Sequence, residues 1–347
     1  MNYTKLLTLF FASTIFLSCQ KDETVPPTSK PTTINSEISC LPDINYEDNV
    51  LKFSSRQTFR DAYNCLESSH KNHASDFINT YEELLEENNY ADSIGDSLGY
   101  NENEILIQFE NSFSGYTSLR KKIYQEEDTW LADSVLDYSD WPHDNYYVQD
   151  EILRTIISDN GEIFINDTLF MIQNDGDIYY TDNINHSERE NISNQVDVNP
   201  SNYDDLFLFS ESYFGKTANT CENTDKDKDF RETFNSNYAM KGKLTLRFYP
   251  WGSHSKARTF TYRKKKFLWW SWWARNNKSL RTYFQGYLYP TLDCEDGKSK
   301  YFSLGGDREY KSRQTTGFNH WGLLVWTKGE LHSISLVNNS YSINCNI

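Results

Sequence analysis

The chain has 347 residues, a net charge of −16, and 37% hydrophobic and 16% aromatic residues. That length is enough for two domains with cores of their own. No run reaches 18 uninterrupted apolar residues, which excludes a transmembrane helix.

Residues 1–18 read as a signal peptide: Lys5, an apolar run from Leu6 to Leu17, then Ser18 before Cys19. The run is too short for a membrane span, which needs roughly 20 residues. Ser18-Cys19 resembles a bacterial lipobox, although Phe16 stands where Leu is usual. The resemblance implies that Cys19 is lipidated and becomes the new N-terminus. The next residues, "QKDE", place Lys21, Asp22 and Glu23 directly behind that Cys. They resemble the export signal of Bacteroidetes surface-exposed lipoproteins, which implies a lipid anchor in the outer membrane, facing the cell exterior. Asp92-Ser93-Ile94, Asp96-Ser97-Leu98, Asp133-Ser134-Val135 and Asp167-Thr168-Leu169 resemble the Asp-Ser/Thr-aliphatic glycosylation pattern of exported Bacteroidales proteins. Residues 19–45 then serve as lipidated Cys and tether, Pro/Thr-rich over 24–36. Five further cysteines remain: Cys40, Cys65, Cys221, Cys294 and Cys345. An exported chain can oxidise them, at most two bridges form, and the pairing stays open.

The charge is unevenly divided. Residues 231–347 carry 19 Lys+Arg against 7 Asp+Glu, a net of +12, and residues 1–230 carry a net of −28. This break predicts an acidic, mainly helical domain over 46–216, a polar linker over 217–237 and a basic, aromatic-rich β domain over 238–347. Ser54 with Gln57 reads as a capping box, followed by Phe59, Ala62, Tyr63 and Leu66 at helical spacing. Phe77, Tyr81, Leu84 and Leu85 continue the pattern, and further helices are expected near 117–126, 129–137 and 150–157. "GEIFINDTLFMIQNDGDIYYT" predicts three short strands joined by Asn-Asp and Asn-Asp-Gly turns. The run "VQDEILRTIISDNGEIFINDTLFMI" resembles a segment of uncharacterised Bacteroidetes secreted proteins, a domain of unknown function. The resemblance implies relatives and no activity.

From residue 238 the chemistry is that of strands. In "KGKLTLRFYP", Leu244, Leu246 and Phe248 share one face and Thr245, Arg247 and Tyr249 the other. Six or seven short strands predict an antiparallel sandwich or barrel, so the fold class expected is α+β: a helical N-terminal region with a small β-meander, then a β-sandwich-like C-terminal domain. "KKKFLWWSWWARN" would be a hairpin strand, with Phe267, Trp269, Ser271 and Trp273 on one face and Leu268, Trp270 and Trp272 on the other.

"GDSLG" over 95–99 matches Gly-x-Ser-x-Gly and resembles an esterase block. The residues before it are polar where a nucleophile turn needs an apolar strand, and the family's Gly-x-Asn-Asp block is absent; a flexible acidic loop is the reading adopted. Asp140 and His143 fit the family's Asp-x-x-His pattern, but His143 lies only 46 residues after Ser97 and far from the C-terminus. Glu67, His70 and His73 share a helical face at metal-ligand spacing, but surface helices with two His are ordinary. Asp225, Asp227 and Asp229 start like a calcium loop that fails at Phe230 and Ser236. No cofactor, metal or catalytic residue is assigned. The function expected is a surface-anchored binding or interaction module for an acidic glycan or a protein, with no nucleic-acid partner. Its candidate binding residues are Lys264, Lys265, Lys266, Trp269, Trp270, Trp272, Trp273 and Arg275. A hydrolase of extracellular esters or glycans and a structural envelope component are the alternatives.

Overall fold

The structure, a computed structural model, describes residues 38, 41–132, 138–182, 189, 191–192, 198–203, 205–209, 226–235, 237–267, 270–289, 300–305, 308–321, 326–327, 332–337 and 341–346. Ser36–Ile347 form one compact unit. The fold is α+β: a helical region with a six-stranded meander sheet, then stacked antiparallel sheets.

The helical layer begins with α1 (Arg56–Glu87), which runs as one 32-residue helix with a kink at Tyr81 (φ −121°). Its N-cap is Ser55, one residue later than the expected Ser54: the Ser55 hydroxyl accepts from the Thr58 amide, and Gln57 instead bonds Asp61. Two short helices follow, α2 (Asp92–Ser97) and α3 (Glu104–Asn111), then α4 (Leu119–Leu131) and α5 (Glu151–Ile156). The "GDSLG" stretch is therefore largely helical and not a loop. Gly95 is required there because the Tyr310 ring lies on it; a Cβ would meet that ring at 2.7 Å.

The meander sheet has the order β1 (Asn45–Glu47), β2 (Val50–Phe53), β3 (Glu162–Ile165), β4 (Thr168–Ile172), β5 (Ile178–Thr181) and β6 (Phe207–Phe209). Only the β2–β3 pair is parallel, because α1 to α5 lie between them in the chain. Asn166 and Asp167 turn β3 into β4 with φ of 55° and 63°, the two left-handed residues of a tight hairpin. Gly161 (φ 80°) opens β3, and any Cβ there would strike the Ile172 carbonyl oxygen at 2.3 Å.

The first large sheet joins β7 (Lys226–Asn235), β8 (Tyr238–Tyr249), β9 (Gly252–Phe267) and β10 (Trp270–Arg275), with β14 (Arg313–Trp321) on β9 beside β10. Strand β7 lies inside the stretch expected as a polar linker. The second sheet centres on β11 (Lys278–Tyr289), flanked by β12 (Lys300–Gly305), β13 (Glu309–Lys311), β15 (Trp326–Thr327), β16 (His332–Val337) and β17 (Tyr341–Asn346). The two sheets stack. Buried Met240, Leu244 and Ala257 look into the interlayer, and the hydroxyls of Thr259 and Thr282 bond across it at 2.9 Å.

The other face of the first sheet is cationic and buried. Strand alternation lines up Lys241, Lys243 and Arg247 on β8, Lys256 and Arg258 on β9, Arg275 on β10 and Arg313 on β14. The helical half covers them with carboxylates. Asp144 takes Lys241 (2.8 Å) and Lys243. Asp150 and Glu67 take Lys256 at 3.3 and 3.2 Å. Glu127 takes Arg275 Nε at 2.6 Å, Arg313 Nη2 at 2.9 Å and the Tyr262 hydroxyl at 2.9 Å. Arg247 donates to the Tyr147 carbonyl at 2.9 Å. Trp251, between β8 and β9, closes the apolar end of this interface against Phe59 of α1 and Phe170 of β4.

These pairs set the ionisation of the layer. Burial alone would raise the Glu127 carboxyl, but Arg313, Arg275 and His143 hold it well below its usual range. Burial opposes Asp150 and Glu151 in the same way. Lys256 chiefly pulls Asp150 down to about 2, and Arg313 chiefly pulls Glu151 down to about 2. Burial lowers His143 and His254 to about 3, so both are neutral in the fold. Each of these groups binds protons more weakly folded than unfolded, so acid favours the unfolded chain. The urea midpoint should therefore be flat above pH 7, decline below about 6.5 as the unfolded histidines charge, and drop steeply between about 4.5 and 2. Glu127→Gln, which strands Arg275 and Arg313, should cost about 3–5 kcal/mol in the same urea titration at neutral pH.

Candidate functional site

The "KKKFLWWSWWARN" stretch is a β9–β10 hairpin, registered as Trp270 on Phe267, Trp272 on Lys265, Trp273 on Lys264 and Arg275 on Tyr262. Alternation sends its residues to two places. Trp273 is 8% exposed and packs with Leu131, Trp141, Ala239, Phe260 and Tyr262. Arg275 belongs to the ion-pair layer, bound to Glu127 and, at 2.8 Å, to Asp128. Lys264 sits half-buried with its ammonium 5.9 Å from the Trp273 ring centre. The opposite face holds Lys265 and half-buried Trp272 side by side, and Lys266 is exposed near the tip. With Tyr238, Asn237 and Arg263 these residues line an open groove of about 580 Å³. Asp92 of α2 anchors Arg263 at 2.7 Å. Among the described residues Lys265 and Lys266 have no carboxylate partner, unlike the lysines of the interior face. Trp269 and the side chain of Trp270 lie outside the described residues, as do Cys19, Lys21, Asp22 and Glu23.

The other sequence signals disperse. The Ser97 hydroxyl is exposed and donates to the Ile94 carbonyl of its own helix at 2.8 Å. His143 is fully buried, stacked on Trp141, with Nδ1 2.6 Å from Arg154 and Nε2 3.3 Å from Glu127. His73 bonds the Asn101 carbonyl at 2.9 Å and Glu67 holds Lys256, so Glu67, His70 and His73 do not converge. No group of three His, Cys, Asp or Glu able to hold a metal occurs among the described residues.

A second concavity was not marked in the sequence. It lies between α1, the start of α5 and strands β12 to β14, and encloses about 390 Å³. Glu151 and Arg313 line it with Glu67, His70, Asp150 and Lys311. Asp150 caps α5, accepting from the Leu153 amide at 2.8 Å and the Tyr63 hydroxyl at 2.7 Å. Glu151, next to it, is ionised and buried but makes only long contacts, 3.7 Å to Arg258 and 3.8 Å to Arg313. A signal existed: "KGKLTLR" and "KAR" repeat cations at period two, which marks a strand face that needs carboxylates.

No family model, curated protein or solved structure matches the chain.

The two classes of cation should respond differently to charge reversal. Lys266→Glu, exposed at the hairpin tip, should leave the urea stability within about 0.5 kcal/mol of the parent. Lys256→Glu, buried against Asp150 and Glu67, should cost more than about 3 kcal/mol.

Proposed function

We propose that the chain is a surface-anchored lipoprotein whose folded part binds an acidic glycan through the groove of the β9–β10 hairpin. One observation carries the reading. Most cations on the interior face of this sheet are matched by carboxylates, whereas among the described residues Lys265 and Lys266 stand unmatched at an open groove lined by Trp272 and Tyr238. Unmatched ammonium groups attract acidic groups, and the indole and phenol faces stack on sugar rings. The anchor rests on the lipobox-like Ser18-Cys19 and on Lys21, Asp22 and Glu23; the outer face of the outer membrane is the proposed location, and relatives among Bacteroidetes lipoproteins follow from the same residues. A disulfide at Cys65 supports passage through an oxidising compartment. Binding is favoured over hydrolysis because the Ser97 hydroxyl is engaged by the Ile94 carbonyl of its own helix and His143 is buried against Trp141, Arg154 and Glu127.

Polygalacturonate should bind the purified protein at low salt, and the affinity should fall steeply toward physiological ionic strength, where screening acts beyond about 8–10 Å. Lys264/Lys265/Lys266→Ser should abolish this binding, and Trp272→Ala should weaken it about tenfold or more at unchanged circular dichroism. Absence of binding by the parent at low salt would refute the reading. Cys19→Ala should release a soluble form from cells, and replacing Lys21, Asp22 and Glu23 by Ala should leave an anchored protein shielded from added protease.

A further inference from the structure

The cleft between α1, α5 and β12 to β14 contains polar groups that the fold itself leaves unused. Both carboxylate oxygens of Glu151 lack a hydrogen-bond partner among the described residues, although its side chain is only 9% exposed. Arg313, 8% exposed, spends Nη2 on Glu127 and leaves Nε and Nη1 without hydrogen-bond partners among the described residues. Arg258, which is not in the cleft lining but stands 3.7 Å from Glu151, leaves Nε and Nη2 without hydrogen-bond partners among the described residues, and Nδ1 of His70, in the lining, also lacks one. Leaving buried polar groups unsatisfied costs about 1–3 kcal/mol each, more when they are charged. Such a cluster at the floor of a 390 Å³ cleft calls for a guest that both donates and accepts.

We propose that this cleft binds an uncharged saccharide, with sugar hydroxyls donating to Glu151 and accepting from Arg313. The charge pattern selects that chemistry. A ligand ammonium at Glu151 would face the guanidiniums of Arg313, Arg258 and Arg154, which already neutralise that carboxylate. A ligand carboxylate or phosphate at Arg313 would face Glu151, Asp150 and Glu127. The Glu151 carboxylate and Nε and Nη1 of Arg313 lack hydrogen bonds and not charge, and a hydroxyl supplies one of each kind through a single atom. Two adjacent hydroxyls on a pyranose ring can engage Glu151 and Arg313 together, bridging the 3.8 Å contact between them. The wall contributes Ser68, Thr315 and Thr316, further neutral hydroxyl partners, and the enclosed volume falls in the range of small-ligand sites. This site is separate from the hairpin groove: the two linings share no residue.

The test is saturation-transfer NMR on the purified full chain with glucose, galactose, mannose, N-acetylglucosamine and rhamnose. Each is taken to about 10 mM, above the roughly millimolar Kd of a weak single-sugar site. At least one sugar should give saturation transfer, and its charged counterparts, glucosamine and galacturonate, should bind at least about tenfold more weakly. Glu151→Gln should weaken binding about tenfold or more. Because that change also touches the ion-pair layer, Ser68→Trp provides the independent arm. Ser68 is exposed on α1 at the cleft wall, and an indole there should fill the cleft and abolish transfer with circular dichroism unchanged. Lys264/Lys265/Lys266→Ser should bind the sugar as the parent does, which separates this site from the hairpin. No transfer from any of the five sugars overturns the proposal, as does transfer that survives Ser68→Trp or tighter binding of the charged counterparts.

Discussion

The structure depends on a charged face that must not meet water or apolar surface alone. Six cations on β8, β9 and β14 are buried together with half-buried Arg275 of β10 beside them, and no sheet could carry them inward without compensation. The helical half supplies it through Glu127, Asp144, Asp150 and Glu151, placed on or beside α4 and α5. Here burial and ion pairing act against each other on every carboxyl, and pairing wins each time. Such an interface adds little net stability, because desolvation offsets most of the attraction. What it adds is orientation: a helix displaced by one turn would leave several cations unpaired at once. The buried cations of the basic half thus meet carboxylates of the acidic half inside the molecule, and a net charge of −16 is left over.

This arrangement also divides the roles of the Lys/Trp hairpin. Its inner residues, Trp273 and Arg275, hold α4 to the sheet, and its outer residues, Lys265 and Trp272, border the groove. Arg263 links the two, since Asp92 of α2 fixes it at the edge of the groove. The groove wall is therefore set by the helical half even though most of its residues are strand residues.

Much of the fold was legible where the determinants are local. The three strands of the meander follow from Asn166, Asp167 and the "NDG" turn, because turn chemistry acts within a few residues. The span of α1 follows from its apolar spacing, whereas its cap does not: Ser54 and Ser55 both bring a hydroxyl to Thr58, and only the geometry of the first turn selects Ser55. Helix α2 is short and polar, and α3, although it buries Ile105, Leu106 and Phe109, has only eight residues, so periodicity carries little signal in either. Strand β7 hides in an alternation of Lys and Asp that reads as a solvated linker. The cleft was illegible for a different reason. Glu151 and Arg313 are 162 positions apart in the numbering, and only sheet pairing and helix docking bring them to one floor.

The ion-pair layer has a consequence for the order of events during biogenesis. Lys256 and Glu67 are separated by 189 positions, Arg313 and Glu127 by 186, and Arg275 and Glu127 by 148. The acidic half emerges from the ribosome first, with carboxylates whose counterions have not yet been made. Until β14 is complete Glu127 lacks Arg313, even though α4 and α5 can already share an apolar core with α1 through Ile123, Leu153 and Phe59. Contacts of such long range make folding slow. The contacts that fasten the acidic half to the sheet are therefore the last to become available, whereas the apolar core of that half uses residues made much earlier.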